Sequence, residues 1–246
     1  MKILAIDSSG LTASVAVAED GVLRAEYTVN YKKTHSQTLL PMLDEIRKMT
    51  ELDLSTVDYL AVAAGPGSFT GLRIGSATVK GLGLALGRPV VEVPTLEGLA
   101  YNLWGTDRVV CPLMDARRNQ VYTGIYRFAQ EDGVYRLNCL REQTTADITE
   151  IVQSCNALGE SVVFLGDGVP VYRKQIEDLI RVPYAFAPAH RAQQSAASVA
   201  ALGYLYALEG RVVPAAEHRP EYLRKSQAER EREEKKKEEM HSDDRA

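Results

Sequence analysis

The chain has 246 residues, 45% of them hydrophobic and 25% charged, with a net charge of −4, which is enough apolar sequence for one large domain or two small ones. That acidic balance argues against a protein that grips nucleic acid unaided, because phosphate binding ordinarily needs a basic face. Cys111, Cys139 and Cys155 lack metal-type spacing and their odd number cannot pair completely, so they read as reduced thiols of a cytosolic protein. The start, Met1 to Asp7, turns polar too soon for a signal peptide, and no apolar run approaches the roughly 20 residues of a membrane span. A cytoplasmic location with no membrane partner is expected.

Taken in order, Lys2 to Asp7 is a short apolar run ending in Asp7-Ser8-Ser9-Gly10, a buried strand and a turn. Thr12 to Ala18 alternates small and β-branched residues, Asp20-Gly21 is a strong hairpin turn, and Gly21 to Val29 returns as a third strand. From Ser36 onward Leu39, Leu40, Leu43, Ile46 and Met49 recur at helical spacing, with Thr34 or Ser36 as cap and Pro41 tolerable only in the first turns. A strand at Tyr59–Ala64 leads through a glycine-rich turn, residues 65–71, into a helix at Leu72–Leu86. A strand at Pro89–Val93 and a helix at Thr95–Trp104 complete the order β-β-β-α-β-α-β-α.

The second half repeats that order. Strands are expected at Val109–Asp115, Gln120–Phe128 and Val134–Glu142, with Asp132-Gly133 as a second hairpin turn. A helix at Ile148–Ala157, capped by Thr144 or Thr145, precedes a strand at Ser161–Leu165, the turn Gly166-Asp167-Gly168 and a helix at Val171–Ile180. A short strand at Tyr184–Ala187 and a helix at Ser195–Glu209 follow. Asp7 and Asp115 take matching places, as do Gly65-Pro66-Gly67 and Gly166-Asp167-Gly168. The chain therefore divides into similar α/β domains at 1–104 and 105–213, each a mixed sheet with helices on its faces, followed by a segment at 214–246. Beyond Gln227 nearly every residue is charged, and pairs such as Glu231–Lys235 and Glu233–Lys237 suit a solvated helix with no apolar face to dock.

The first glycine turn has chemistry of its own. Gly65 and Gly67 allow backbone angles closed to other residues, Pro66 stiffens the turn, and a helix start presents N–H groups that can hold an anion. It is not a P-loop, since Leu72-Arg73 follows Gly71, and its glycine spacing misses the dinucleotide pattern. Matched domains that each open with a strand, a carboxylate and a hairpin resemble the ribonuclease-H-like halves of the actin-like ATPase superfamily, which holds acetate and sugar kinases, Hsp70 and actin. The resemblance implies hairpins that grip phosphates across a cleft, with Asp7, Ser8, Ser9 and Gly10 as a weak, vestigial phosphate hairpin. In the second half bulky Arg117, Arg118 and Asn119 stand where glycines would cradle phosphate, so one half of the clamp looks lost. Such an analogy fixes no function, and a small-molecule kinase stays open as an alternative.

Ile6-Asp7-Ser8-Ser9, the run from Ala64 to Arg73 and Met114-Asp115-Ala116-Arg117-Arg118 together resemble the TsaB (YeaZ) family, and Gly166-Asp167-Gly168 and Tyr222-Leu223-Arg224 agree. This resemblance implies a non-catalytic scaffold that activates TsaD, the subunit that forms the threonylcarbamoyl group on N6 of adenosine 37 in tRNAs reading codons that begin with A. ATP, ADP and metal would belong to partner subunits. The partners implied are TsaD and the ATPase TsaE, with tRNA reached only through the complex and a homodimer in the absence of TsaD. An older glycoprotease-like peptidase label is the enzymatic alternative.

TsaD-type proteins carry His-x-Glu-Gly-His at the start of the helix after the fifth strand, and imidazoles one turn apart on one face can hold a metal. This chain has Thr95-Leu96-Glu97-Gly98-Leu99 there, so neither a metal site nor a catalytic residue is expected. His35, His190, His218 and His241 are scattered and read as surface or capping residues. Along the helix after the glycine turn, Gly71, Gly75, Val79, Gly83 and Gly87 recur every four residues. Glycine costs a helix about 1 kcal/mol against alanine, so something must come close, either the protein's own sheet or a partner helix. The resemblance implies a pairing face on this helix and the one before it, with His35, Leu39, Leu43, Gly71, Arg73, Gly75, Val79 and Gly83 as contact residues.

Overall fold

The computed structural model describes residues 1–31, 33–131 and 133–224. The charged run from Gln227 onward lies outside the described residues. The first half holds β1 (Lys2–Asp7), β2 (Ala13–Glu19), β3 (Val22–Val29), α1 (His35–Met49), β4 (Tyr59–Gly65), α2 (Phe69–Leu86), β5 (Val90–Pro94) and α3 (Thr95–Tyr101). The second holds β6 (Val109–Asp115), β7 (Gln120–Glu131), β8 (Val134–Asp147), α4 (Ile148–Leu158), β9 (Val162–Leu165), α5 (Gly168–Leu179), β10 (Tyr184–Phe186) and α6 (Ala196–Leu208). The sheets run β3-β2-β1-β4-β5 and, in matching order, β8-β7-β6-β9-β10. In each, the first three strands form an antiparallel meander, and the last two join parallel to the central one. This is the ribonuclease-H-like topology, present twice, as in the actin-like ATPase superfamily.

Local chemistry accounts for the elements. Asp20 and Gly21 both have positive φ, 48° and 76°, and join Glu19 to Val22 by the two-residue turn whose twist suits a hairpin. β1 is a central strand buried on both faces: Leu4 and Ile6 point into one apolar cluster, Ile3 and Ala5 into another. Pro41 sits in the second turn of α1 on the exposed side, where water can satisfy the carbonyl that loses its helical partner. Two expected boundaries move. β8 runs on to Asp147, paired with Gln120 across the ladder, so Asp147 and not Thr144 or Thr145 caps α4, accepting from Thr149 N–H at 2.8 Å. α3 stops at Tyr101, and turn residues carry the chain past Trp104.

The final helices of the halves cross over. α1 and α2 cover one face of the first sheet, but its other face is covered by α6, whose Ala196, Val199, Ala200 and Leu202 pack on Ile3, Ala5, Ala16, Ala61 and Val93. Alanines on that face let the helix lie close: a side chain on Gly203 would come within 3.0 Å of Ala61 Cβ. In return α3 places Leu96, Leu99 and Ala100 against Val110, Met114, Tyr126 and Phe128 of the second half. Each half is completed by an element from the other.

The four-residue row on α2 faces inward. A Cβ on Gly71 would stand 2.0 Å from the Ser8 carbonyl oxygen, one on Gly75 2.4 Å from Ser8 Oγ and one on Gly83 2.6 Å from Ala215 Cβ. Val79 is fully buried, and so in practice are Leu39 at 1% and Leu43 at 5% exposure. These six residues therefore serve the protein's own core, which corrects their placement on an outer contact face. Gly81, by contrast, has open space around it. Gly81→Ala should raise stability by about 0.5–1 kcal/mol through helix propensity. Gly71→Ala should lower it by about 1–3 kcal/mol, because the obstacle is backbone that must shift. Urea unfolding of the two variants beside the parent checks both signs.

Candidate functional site

The ends of β1 and β4, the start of α2 and a C-terminal strap at residues 213–224 meet at one place. Gly65 has φ 131°, and a side chain there would lie 2.1 Å from the Glu221 carbonyl oxygen, so only glycine fits. Its N–H donates to Thr95 Oγ1 at 3.0 Å. Ser68 caps α2 by accepting from Gly71 N–H at 3.3 Å, and its own N–H donates to the Ser9 carbonyl at 2.6 Å.

The hairpin read as a phosphate cradle turns its groups toward the protein itself. Asp7, Ser8, Ser9 and Gly10 are all buried. Asp7 Oδ1 accepts from Ser9 N–H at 2.9 Å and Ser9 Oγ at 2.6 Å, while Ser8 Oγ donates to the Gly71 carbonyl at 2.9 Å. Burial pushes the Asp7 carboxyl above its ordinary range, and the Ser9 bonds pull the other way. His35 Nε2 lies 2.8 Å from the Gly10 carbonyl, and the Gln194 side chain fills the space where a Gly10 side chain would be. Ser8, Ser9 and Ser68 thus tie this hairpin to the helix start from within the chain.

The strap was missed in the sequence because its residues show no periodicity. Val213 exchanges backbone hydrogen bonds with Val90, Ala215 fills the notch over Gly83, and Glu221 N–H donates to the Ala64 carbonyl at 2.7 Å. His218, expected at the surface, is 2% exposed, with Nε2 2.9 Å from Ser76 Oγ and Nδ1 2.6 Å from Glu92 Oε1. The order serine, histidine, carboxylate is that of a hydrolase triad. Ser76, however, is itself buried in mid-helix, so the set fastens the strap to α2 and β5 and presents no nucleophile. The bond to His218 holds the Glu92 carboxyl below its usual range.

The second half builds the same corner differently. Gly166 matches Gly65, with φ 105° and 2.1 Å from a would-be side chain to the Leu113 carbonyl oxygen. Asp115, the counterpart of Asp7, accepts from Tyr172 Oη at 3.2 Å and from Arg117 N–H at 2.9 Å. Asp167 Oδ1 accepts from Asp115 N–H at 3.3 Å. Burial, reinforced by the Asp115 carboxylate, pushes the Asp167 carboxyl up to about 6.

At the start of α3, Thr95 is fully buried and engaged with Gly65, and Leu99 is in the core. Glu97 accepts from Tyr206 of α6, and burial pushes its carboxyl up. Among the described residues no cluster of three or more His, Cys, Asp or Glu side chains could hold a metal ion.

Comparisons with known proteins agree with this geometry. A family model described as TsaD, tRNA N6-adenosine threonylcarbamoyltransferase, matches residues 23–232. The chain is 34% identical over 184 residues to the tRNA threonylcarbamoyladenosine biosynthesis protein TsaB of Bacillus subtilis, covering 73% of this chain and 77% of that protein. It is 37% identical over 138 residues to the Escherichia coli protein of the same name, covering 55% and 58%. YeaZ from Pseudomonas aeruginosa superposes with a TM-score of 0.77 at 30% identity, covering 90% of this chain and 99% of that one. The chain belongs to the TsaB family.

In this TsaB-family chain, Arg73 is the expected contact residue that stays exposed, and His35 is half-buried. The outward face of α2 carries Thr70, Arg73, Ala77, Gly81, Leu84 and Ala85, and α1 adds Leu40 at 55% exposure. A small-residue row was legible in the sequence, but the outward one is offset from the glycine row chosen there. Helical spacing alone favoured both.

The Asp167 shift has a testable sign. A carboxyl raised from its ordinary value of 3.8 to about 6 is neutral in both states at low pH. As pH rises from about 4 to 6 the unfolded chain ionises first, so the folded state loses about 3 kcal/mol, and the loss is complete above pH 6. Asp167→Asn keeps the acceptor for Asp115 N–H and cannot ionise. It should be more stable than the parent by about 1–3 kcal/mol at pH 8, with the advantage gone near pH 4. Denaturant unfolding across that pH range measures it.

Proposed function

We propose that this chain is a non-catalytic scaffold that pairs with the threonylcarbamoyl-transferring subunit, TsaD, in tRNA modification. The observation that carries this reading is the fate of positions 95 and 99. Where the transferase signature places paired imidazoles, this chain has a hydroxyl bonded to Gly65 and a leucine in the core. Neither replaces an imidazole ligand, which separates this chain from the transferase whose family model it matches. The buried Ser76–His218–Glu92 set likewise gives no support to a peptidase, and the self-filled Asp7–Gly10 hairpin gives none to a kinase.

The pairing surface in this reading is the outward face of α1 and of α2 from Ala77 to Ala85. Ala77, Gly81 and Ala85 form a groove shallow enough for another helix to approach closely, flanked by exposed Leu84 and Leu40. A second copy of the chain would use the same face when TsaD is absent, and the ATPase TsaE would act on the assembled pair. tRNA is reached through that assembly.

Co-expression with TsaD from the same genome, followed by size-exclusion chromatography, tests the pairing. The parent should co-elute with TsaD. Gly81→Leu should reduce co-elution at least tenfold with a melting temperature no lower than the parent's, because a Cβ there meets no atom of its own chain within 4 Å and leucine is the better helix former. Full co-elution of Gly81→Leu together with Ala77→Glu would remove this face from the interface.

A further inference from the structure

The head of α2 and the β6–β7 turn form a separate surface, next to the strap's last described residues. Arg73 lies over the Phe69 ring at 4.0 Å, and Phe69 stacks on Tyr222 at 4.7 Å between centroids. Arg73 Nε donates to Tyr222 Oη at 3.3 Å, which locks the pile together. Two residues on, Arg224 Nη1 donates to the Ala116 carbonyl at 2.5 Å, joining the strap to the second half beside Arg117 and Arg118.

That turn is unusual. Arg117, Arg118 and Asn119 have φ of 65°, 55° and 61°, three successive side-chain-bearing residues in the left-handed region, and all three are exposed. L-residues avoid this conformation, and it persists where surrounding bonds over-determine it. Here Ala116 N–H donates to Gln120, Gln120 N–H to Arg117, and Asn119 Nδ2 to Asp147. The result is a rigid knuckle that holds two guanidinium groups out into solvent.

The nearby acids are largely engaged. Asp115 is bonded to Arg117 N–H and Tyr172, with Arg117 Nε 3.8 Å from its other oxygen, and Glu221 accepts from Gln143 at 2.7 Å. Among the described residues, Arg73, Arg118 and Arg224 form no salt bridge to a carboxylate. Four arginines, Arg73, Arg117, Arg118 and Arg224, stand beside the carboxylates of Asp115, Asp147 and Glu221, so the patch keeps a small positive excess although the whole chain carries −4.

We propose that this surface contacts a single-stranded RNA loop, with Tyr222 and Arg73 presenting planar faces to bases and Arg117, Arg118 and Arg224 meeting phosphates. The proposal rests on the reading of the chain as part of a tRNA-modifying assembly, and names how the chain itself would touch that RNA. An acidic protein would explain the arginines but not the stacked ring pile beside them. Every base has a π face that such a pile can extend, without sequence preference. The small number of cations keeps the contact weak for the isolated chain.

Fluorescence anisotropy with the full-length chain tests it, using a labelled RNA hairpin with a single-stranded loop, a blunt RNA duplex and labelled polyglutamate as probes. The hairpin should bind best, with a log–log salt slope of about −2 for three phosphate contacts. Arg117→Glu with Arg118→Glu should weaken it at least tenfold, and Tyr222→Ala by about tenfold. Arg118→Glu alone, at an exposed position, serves as the variant least able to disturb folding. Equal binding by all variants, or polyglutamate binding as well as the hairpin with no response to Tyr222→Ala, overturns the proposal, the latter in favour of an acidic protein. TsaD co-elution of the same variants separates the two readings. Patch-dependent RNA binding without TsaD pairing leaves the RNA surface standing and sinks the scaffold; pairing with patch-independent RNA binding does the reverse.

Discussion

The first half is organised by one close approach: the Ser8 carbonyl and hydroxyl lie where side chains on Gly71 and Gly75 would otherwise be. That contact presses the turn after β1 onto the first turns of α2. It lets Ser8 Oγ bond the Gly71 carbonyl and the Ser9 carbonyl receive the Ser68 N–H. Two helix-forming penalties of about 1 kcal/mol each are accepted in exchange for buried hydrogen bonds that would otherwise be unmade. At this helix start Gly71 N–H is met by Ser68 Oγ and the Ser68 N–H by the Ser9 carbonyl, and the buried Asp7 carboxyl is turned to Ser9.

The crossing of α3 and α6 sets how the halves behave toward each other. Domains joined by a small polar contact are expected to move, whereas a large apolar one resists motion. Here the contact includes whole core clusters, and its polar groups are matched as well. Asn102 donates to the Arg191 and Gln193 carbonyls and accepts from Ser198 Oγ, while Glu97 meets Tyr206. Opening a cleft between the sheets would break these together. The strap adds further ties, from Val90 through Ser76 and Ala64 to Ala116. A body held this way suits a part that presents fixed surfaces better than one that closes on a nucleotide.

Much of this fold was legible because its elements are written in short, strongly patterned runs. The repeated β-β-β-α-β-α-β-α order follows from apolar runs broken by Asp20-Gly21, Gly65-Pro66-Gly67 and their second-half counterparts, and these are local signals. What was not legible is long-range. Nothing in the Ala196–Leu208 run says which sheet it covers, because it is apolar on nearly every side and is buried between neighbours on several. His218 looked solitary because Ser76 and Glu92 lie far from it in sequence. The glycine row on α2 correctly signalled a close approach. Its direction depended on Ser8, which no pattern within the helix could reveal. A resemblance to a known family supplied the functional class, and the burial of the glycine row leaves the row beside it as the exposed one.

Positions 95 and 99 are both built into the fold. Thr95 Oγ1 holds the Gly65 amide, and Gly65 adopts φ 131° with no side chain to meet the strap's Glu221 carbonyl. Leu99 joins Val110, Met114 and Tyr126 across the join between halves. Both positions serve packing, and Leu99 supports the contact that joins the halves. An imidazole at 95 would have to displace a fully buried hydroxyl together with its hydrogen bond, and one at 99 would bring a polar ring into an apolar cluster. Histidine at both positions would thus disturb the packed corner at the start of α3.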